Sequence, residues 1–296
     1  MKIILSRKGF DSGNAKMPSP VMPDGTPLSL PIPRGRGYCY SYHELSFQGR
    51  PLSEIIEELV NGALPLEDKA HADPDLDRER LPRKTGWRPI FGQAGGDQSH
   101  LENQGVGVGD LFLFFGWFRC TEFTTDGKLR FTGSRDGFHA LFGWLQVGQV
   151  HRVNIQSAKT LPEWTLYHPH VASPAGFDAN NTIYISAESL NLGGRDLPVP
   201  GAGTFARHTP ILRLTTPDGP RSLWTLPSWF HPAARSPLSY HGDLSRWSSK
   251  GERTVLQSVA RGQEFVLDTE YYPEAPSWIA SLFEAGNDNA EQRRRH

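Results

Sequence analysis

The feature that most constrains this chain is the run Leu111-Phe112-Leu113-Phe114-Phe115, set between the Gly109-Asp110 turn and Gly116. A short unbroken apolar run, rich in aromatics and bounded by turn residues, reads as a strand buried on both faces. Such a strand lies in the middle of a sheet or inside a barrel, so other segments must cover it. Asp126-Gly127 predicts a hairpin through a two-residue turn, the pairing that positive backbone φ angles favour. The segment His139–Gly148 then returns, with Trp144, Gln146 and Gly148 alternating against Leu145 and Val147, and Gly148 is placed to form a bulge. The expectation is a meander of strands around an aromatic interior.

Proline and glycine, at 24 and 30 residues, cut the rest into short pieces and leave little room for long helices. The fold class expected is α+β: a central, mostly antiparallel, aromatic-rich sheet or a small barrel, with loop and short-helix elaborations. Residues 1–286 read as one elaborated domain and 287–296 as a disordered basic tail. The best helix lies between Pro51 and Gly62, capped by Ser53 and apolar at Ile55, Ile56, Leu59 and Val60. A second hairpin is expected from Ile211–Leu214 and Leu223–Leu226 around Pro217-Asp218-Gly219. A net charge of −1 gives no bulk signal for nucleic acid or a membrane surface. No apolar run reaches the ~20 residues of a membrane helix. Two distant cysteines, Cys39 and Cys120, without metal-ligand spacing, fit a reducing cytoplasm.

Polar residues gather where strands give way to loops. Arg7, Lys8 and Asp11 follow an N-terminal strand ending at Arg7, where loops present binding groups; the competing reading is a solvated, self-paired loop. His71, Asp73 and Asp75 in His71-Ala72-Asp73-Pro74-Asp75 can ligate a divalent cation, or can be a capped turn with solvated acids. In Gly92-Gln93-Ala94-Gly95-Gly96-Asp97-Gln98-Ser99-His100, glycines let the backbone approach a ligand. Gln93 and Gln98 offer amides that read a base edge, and His100 is a candidate acid or base; a plain helix N-terminus is the alternative. Trp117 and Arg119 alternate along the aromatic strand and so share a face, suited to stacking a nucleobase or to shielding the sheet. His168 and His170, a residue apart, bind metal only if a third ligand comes near. Gln263 and Glu264 open a last strand.

Long strings of the chain resemble the nucleotide modification associated domain family, the third of that series. They include Ser6-Arg7-Lys8-Gly9-Phe10-Asp11-Ser12, Ser19-Pro20-Val21-Met22-Pro23-Asp24-Gly25, His71-Ala72-Asp73-Pro74-Asp75-Leu76 and Gly107–Arg119. His139–Gly148 belongs with them. The resemblance implies a bacterial or phage protein tied to modification of nucleotides or of bases in DNA, and it supplies no catalytic residues. The Gly-Asp turn before the aromatic strand also resembles the small barrels of the PUA-like group, which includes base-recognising modules.

The function expected is therefore binding and processing of a nucleotide or DNA base in a pocket built from loops. Asp11, Asp73 and His100 are the candidates for moving a proton. Arg7, Lys8, Gln93, Gln98, Trp117, Arg119, Gln263 and Glu264 are the candidates for holding substrate. His71, Asp73 and Asp75 are the candidates for a divalent metal; no other cofactor is indicated. The alternatives are a non-catalytic reader of modified bases and a metal-dependent hydrolase or nuclease. The partner expected is a nucleotide or DNA carrying a modified base, alongside other DNA-modification proteins, and no membrane.

Overall fold

The structure, a computed structural model, describes residues 1–33, 40–60 and 69–287. Among these, nine strands form one sheet. Its main path runs Glu264–Asp268, Lys2–Arg7, Leu111–Phe123, Phe138–Arg152, Thr182–Ser186 and Ile90–Gln93. Lys2–Arg7 lies parallel to Leu111–Phe123, Ile3 opposite Leu111 and Arg7 opposite Phe115, and antiparallel to Glu264–Asp268. Ser19–Val21 also runs parallel to the far half of the central strand; every other pairing in the sheet is antiparallel.

Leu111 to Phe115 are buried on both sides, and strand alternation divides them between two cores. Leu111, Leu113 and Phe115 join Ile3, Leu5, Trp224 and Phe265 on one face, closed over by Ile279 and Leu282 of the helix Ala275–Asn287. Phe112 and Phe114 turn the other way, onto Ile4, Phe91, Phe118, Leu145 and Tyr184. Gly148 forms the bulge its sequence suggested, where the register against Thr182–Ser186 shifts between Val147 and Gln149.

Three local expectations give way. The hairpin at Asp126-Gly127 closes through Thr124–Lys128, with Thr124 and Lys128 joined backbone to backbone, and Gly127 takes φ 80°. The turn is thus wider than two residues, its strands being Leu111–Phe123 and Leu129–Phe131. The second hairpin forms only beside its turn, where the Thr216 N–H donates to the Leu223 carbonyl and the Thr225 N–H to the Leu214 carbonyl, with Thr215 opposite Trp224. Farther back Pro210–Leu212 is a 3-10 turn, and Leu223–Pro227 also pairs along its whole length with Arg253–Gln257. The first helix spans Leu52–Val60, placing Ser53 inside its first turn. Cys39, Gly62 and the tail from 288 onward fall outside the described residues.

The sheet is curled. In the strand order, Glu264 and Gln93 belong to the two ends, with four strands between them. A flat sheet would hold those ends roughly 24 Å apart at the usual strand spacing. Yet Gln93 Nε2 donates to Glu264 Oε1 at 2.7 Å, and Lys8 Nζ stands 4.6 Å from the centre of the Phe91 ring. The two edges meet through side chains. Among the described residues no backbone pairing closes them, so no barrel forms. No helix among the described residues is long and apolar enough to cross a membrane.

Candidate functional site

The seam between the two sheet edges opens into a cleft holding about 1020 Å³ of atom-free space, mouth included. Arg7 enters it from the end of the first strand and Lys8 and Asp11 from the loop that follows, and Gln93 and Asp97 from the other edge and the helix Gly95–Asn103. Gln263 comes from the start of the last strand, and His71, Asp73 and His170 line the cleft from two further segments. Lys8 is not a free cation. It donates to Glu264 Oε1 at 2.7 Å; Glu264 is fully buried, and Gln93 contacts the same oxygen. Arg7 donates to the carbonyls of Ala260 (3.0 Å) and Gly262 (2.7 Å), which orient its guanidinium without neutralising it. The Asp11 carboxylate accepts from the backbone N–H groups of Gly13 and Asn14, the geometry of an Asx turn.

The loop His71–Asp77 is pinned to the edge strand by reciprocal backbone bonds between Asp75 and Ile90. That pinning brings Asp73 beside Gly92, whose N–H donates to Asp73 Oδ1 at 2.8 Å; the same oxygen lies 3.1 Å from His168 Nε2. His168 precedes Pro169, which starts the short helix Pro169–Ala172 carrying His170. Asp73 Oδ2 lies 3.8 Å from His71 Nε2 and 3.9 Å from His170 Nε2. Burial works to raise Asp73. The hydrogen bond from His168 and the charges of His168, His170 and His71 outweigh it and bring the carboxyl down to about 2. His71, Asp73 and His170 are the residues able to hold a metal: one ligand atom from each falls within 4.8 Å of the others.

A second recess adjoins the first and shares Arg7, Lys8 and Asp11 with it. Trp117, Asp136, His139 and Arg221 complete its walls. Trp117 Nε1 donates to the carbonyl of Asp136, and the Arg221 guanidinium stands 3.8 Å from the Trp117 ring. His139 Nδ1 accepts from Trp224 Nε1 at 3.1 Å. Burial, helped by the charges on Arg221 and Arg7, lowers His139 to about 3, so it is neutral at ordinary pH.

Of the candidate residues, the structure brings Arg7, Lys8, Asp11, His71, Asp73, Gln93 and Gln263 together around one cleft, with Glu264 behind its wall and Trp117 in the adjoining recess. The others sit elsewhere. Asp75 is buried in a bidentate pair with Arg83 (2.6 and 2.7 Å), hydrogen-bonded also by the Tyr167 hydroxyl, and does not line the cleft. Gln98 is turned inward, bonding Glu102 and the Tyr184 hydroxyl. His100 packs on Tyr240 and bonds Ser239, with burial lowering its basicity against opposing pulls from Asp97 and Glu264. Arg119 donates to the carbonyls of Thr132 and Gly133, and the guanidinium over Trp117 is that of Arg221. Asn181, Asp97, His139 and Arg221 were not singled out. Neither Asn181 nor Arg221 carried a signal: Asn181 is one of an Asn-Asn pair just before the strand Thr182–Ser186, and Arg221 lies in a loop distant in sequence.

The model of the family described as nucleotide modification associated domain 3 matches residues 2–268. The chain belongs to that family. The matched span of nucleotide modification associated domain 3 contains every cleft residue from Arg7 to Gln263, and it ties the chain to a nucleotide modification system. No curated protein and no solved structure matches the chain.

Proposed function

We propose that the paired recesses bind a nucleotide, free or within DNA, and that the cleft beside His71, Asp73 and His170 is where its base is processed. The observation carrying this reading is that Arg7, Lys8 and Asp11 line both recesses, so one ligand can span them. The space that the centre of a water-sized sphere can occupy in the cleft, about 330 Å³, falls at the lower end of what small-molecule sites use, enough for a mononucleotide's base and sugar. Arg7 and Arg221 are suited to a phosphate, since a guanidinium offers paired donors matched to its oxygens. Gln93, Gln263 and Asp97 offer the mixed donors and acceptors that read a base edge. Within this reading Asp11 and Asp73 are the carboxylates near the reacting group, Lys8 and Glu264 hold Gln93 in place, and His100, Gln98 and Arg119 serve the scaffold.

Calorimetric titration with the four deoxynucleoside monophosphates, and with a short single-stranded oligonucleotide, tests the proposal. The wild type is expected to bind saturably. Arg7→Ala and Arg221→Ala should each weaken binding about tenfold or more, the range of one lost charge-assisted contact, with circular dichroism unchanged. Gln93→Ala should alter preference among bases more than overall affinity. Absence of binding by the folded wild type to every ligand, or wild-type affinity retained in both arginine variants, overturns the reading.

A further inference from the structure

We propose that His71, Asp73 and His170 form a mononuclear centre for a divalent transition metal, with its remaining coordination positions open to the cleft. This goes beyond the nucleotide reading and does not depend on it.

The geometry is that of ligands arranged around a shared point. Asp73 Oδ2 faces His71 Nε2 at 3.8 Å and His170 Nε2 at 3.9 Å, beyond hydrogen-bond reach. Around one ion with bonds of about 2.1 Å, neighbouring ligand atoms lie about 3.0–3.4 Å apart. Closing on an ion thus asks for movement of roughly half an ångström along each edge to Asp73, and for the two imidazoles, within 4.8 Å of one another, to close in by about an ångström or more.

Two of the three inward atoms, those of Asp73 and His170, are turned inward by what holds the other side of their groups. Asp73 Oδ1 is taken by the Gly92 N–H and by His168, which leaves Oδ2 for the cleft. His168 is itself fully buried, and its Nδ1 has no hydrogen-bond partner among the described residues. Its role is to position the carboxylate. His170 is fixed more tightly. The Asn181 amide nitrogen donates to the carbonyls of His170 (2.9 Å) and Val153 (3.2 Å), so the Asn181 oxygen must be the atom facing His170 Nδ1 at 2.5 Å. That oxygen accepts a hydrogen bond from the Nδ1–H, and the lone pair of Nε2 points at Asp73. A histidine whose far nitrogen is held by a hydrogen bond is the usual arrangement of a metal ligand. The His170 ring is also clamped between Phe177, stacked 4.0 Å away, and the Cα of Gly92.

The donor set selects the metal. Two imidazoles and one carboxylate suit Fe²⁺, Mn²⁺ or Zn²⁺, whereas Mg²⁺ and Ca²⁺ prefer all-oxygen cages. Three protein ligands leave positions for water or substrate, the pattern of a catalytic centre and not of a closed structural one.

The test is titration of the chelator-treated full-length chain with Zn²⁺, Mn²⁺, anaerobic Fe²⁺ and Mg²⁺, without nucleotide, and Co²⁺ substitution followed by visible absorption. One ion per chain is expected, with Mg²⁺ at least a hundredfold weaker than the best transition metal. His170→Gln and Asp73→Asn should abolish stoichiometric binding and the Co²⁺ bands while the metal-free chain keeps its circular dichroism. Asn181→Ala should weaken binding about 10–100-fold and shift the Co²⁺ spectrum. Folded wild type that takes up no stoichiometric metal, or binding indifferent to His170→Gln and Asp73→Asn, overturns the proposal. Because no nucleotide is present, failure here is separable from failure of the nucleotide reading.

Discussion

At Gly92 a single hydrogen atom decides whether the His170 imidazole fits. A Cβ there would lie 2.4 Å from His170 Cδ2 and 2.5 Å from Cγ, so any side chain must drive the ring out of place. Gly92 also donates its N–H to Asp73, so one residue sets both partners. Gly92→Ala is therefore expected to lower transition-metal affinity roughly 10–100-fold, as loss of a supporting contact does, with little change in far-ultraviolet circular dichroism. Metal titration of this variant reads the outcome; unchanged affinity would mean that the ring orientation does not matter. At this scale the sequence was half legible. His71-x-Asp73 and His168-x-His170 each stood out as pairs of potential ligands. Nothing in spacing alone says that the two pairs meet, nor that His168 bonds the carboxylate while His170 faces across the cleft, because that division rests on Asn181 and Gly92.

The loop His71–Asp77 shows what an element does with three similar residues. Its backbone bonds to Ile90 leave Asp73 beside Gly92, while Asp75 meets Arg83, Tyr167 and, through Tyr167, the Trp87 indole. Arg83 also lies 4.1 Å from the Trp87 ring. Both charged side chains are almost wholly buried, at 5% and 2% exposure, so removing one strands the other in a low-dielectric setting. Asp75→Asn is expected to cost about 3–5 kcal/mol of stability, measured by urea denaturation, and to leave metal stoichiometry unchanged. A stable variant that had lost its metal would return Asp75 to the ligand set. The sequence could not separate Asp73 from Asp75, since both are carboxylates flanking Pro74 and the discriminating partner, Arg83, resembles any other surface arginine. The same limit applies to Gln98. A glycine-rich stretch signalled close approach to a ligand, but the helix Gly95–Asn103 rotates Gln98 toward Tyr184, and the polar side chains of this stretch that line the cleft are those of Gln93 and Asp97.

For the whole molecule, the aromatic central strand, the Gly148 bulge and a large, mostly antiparallel sheet were readable because they follow from local period and turn chemistry. The curl that joins Gln93 to Glu264 was not, since it accumulates from small twists across the entire sheet. The curl and the two cores bury ionisable groups, and this fixes the response of the fold to acid. His139 is lowered to about 3 by burial and the charges on Arg221 and Arg7, and His208 to about 4 by burial and Arg213. In the unfolded chain both imidazoles take up protons below about pH 6.5. Between there and their native values the unfolded state binds more protons than the native one, so stability falls as pH drops. Above about 6.5 the full contribution is present. Asp73 acts later: its native carboxyl titrates near 2, below the usual 3.8, so its share is intact above 3.8 and is lost as pH falls through about 2. The acid limb should thus begin with histidines, not carboxylates. Urea midpoints measured from pH 7.5 to 4 should decline below about 6.5. His139→Gln, whose amide oxygen can still accept from Trp224, should flatten that decline by at most about 1.4 kcal/mol per pH unit. An unaltered slope in the variant would remove His139 from the account and leave His208, which loses its basicity to the same cause, to carry the acid limb.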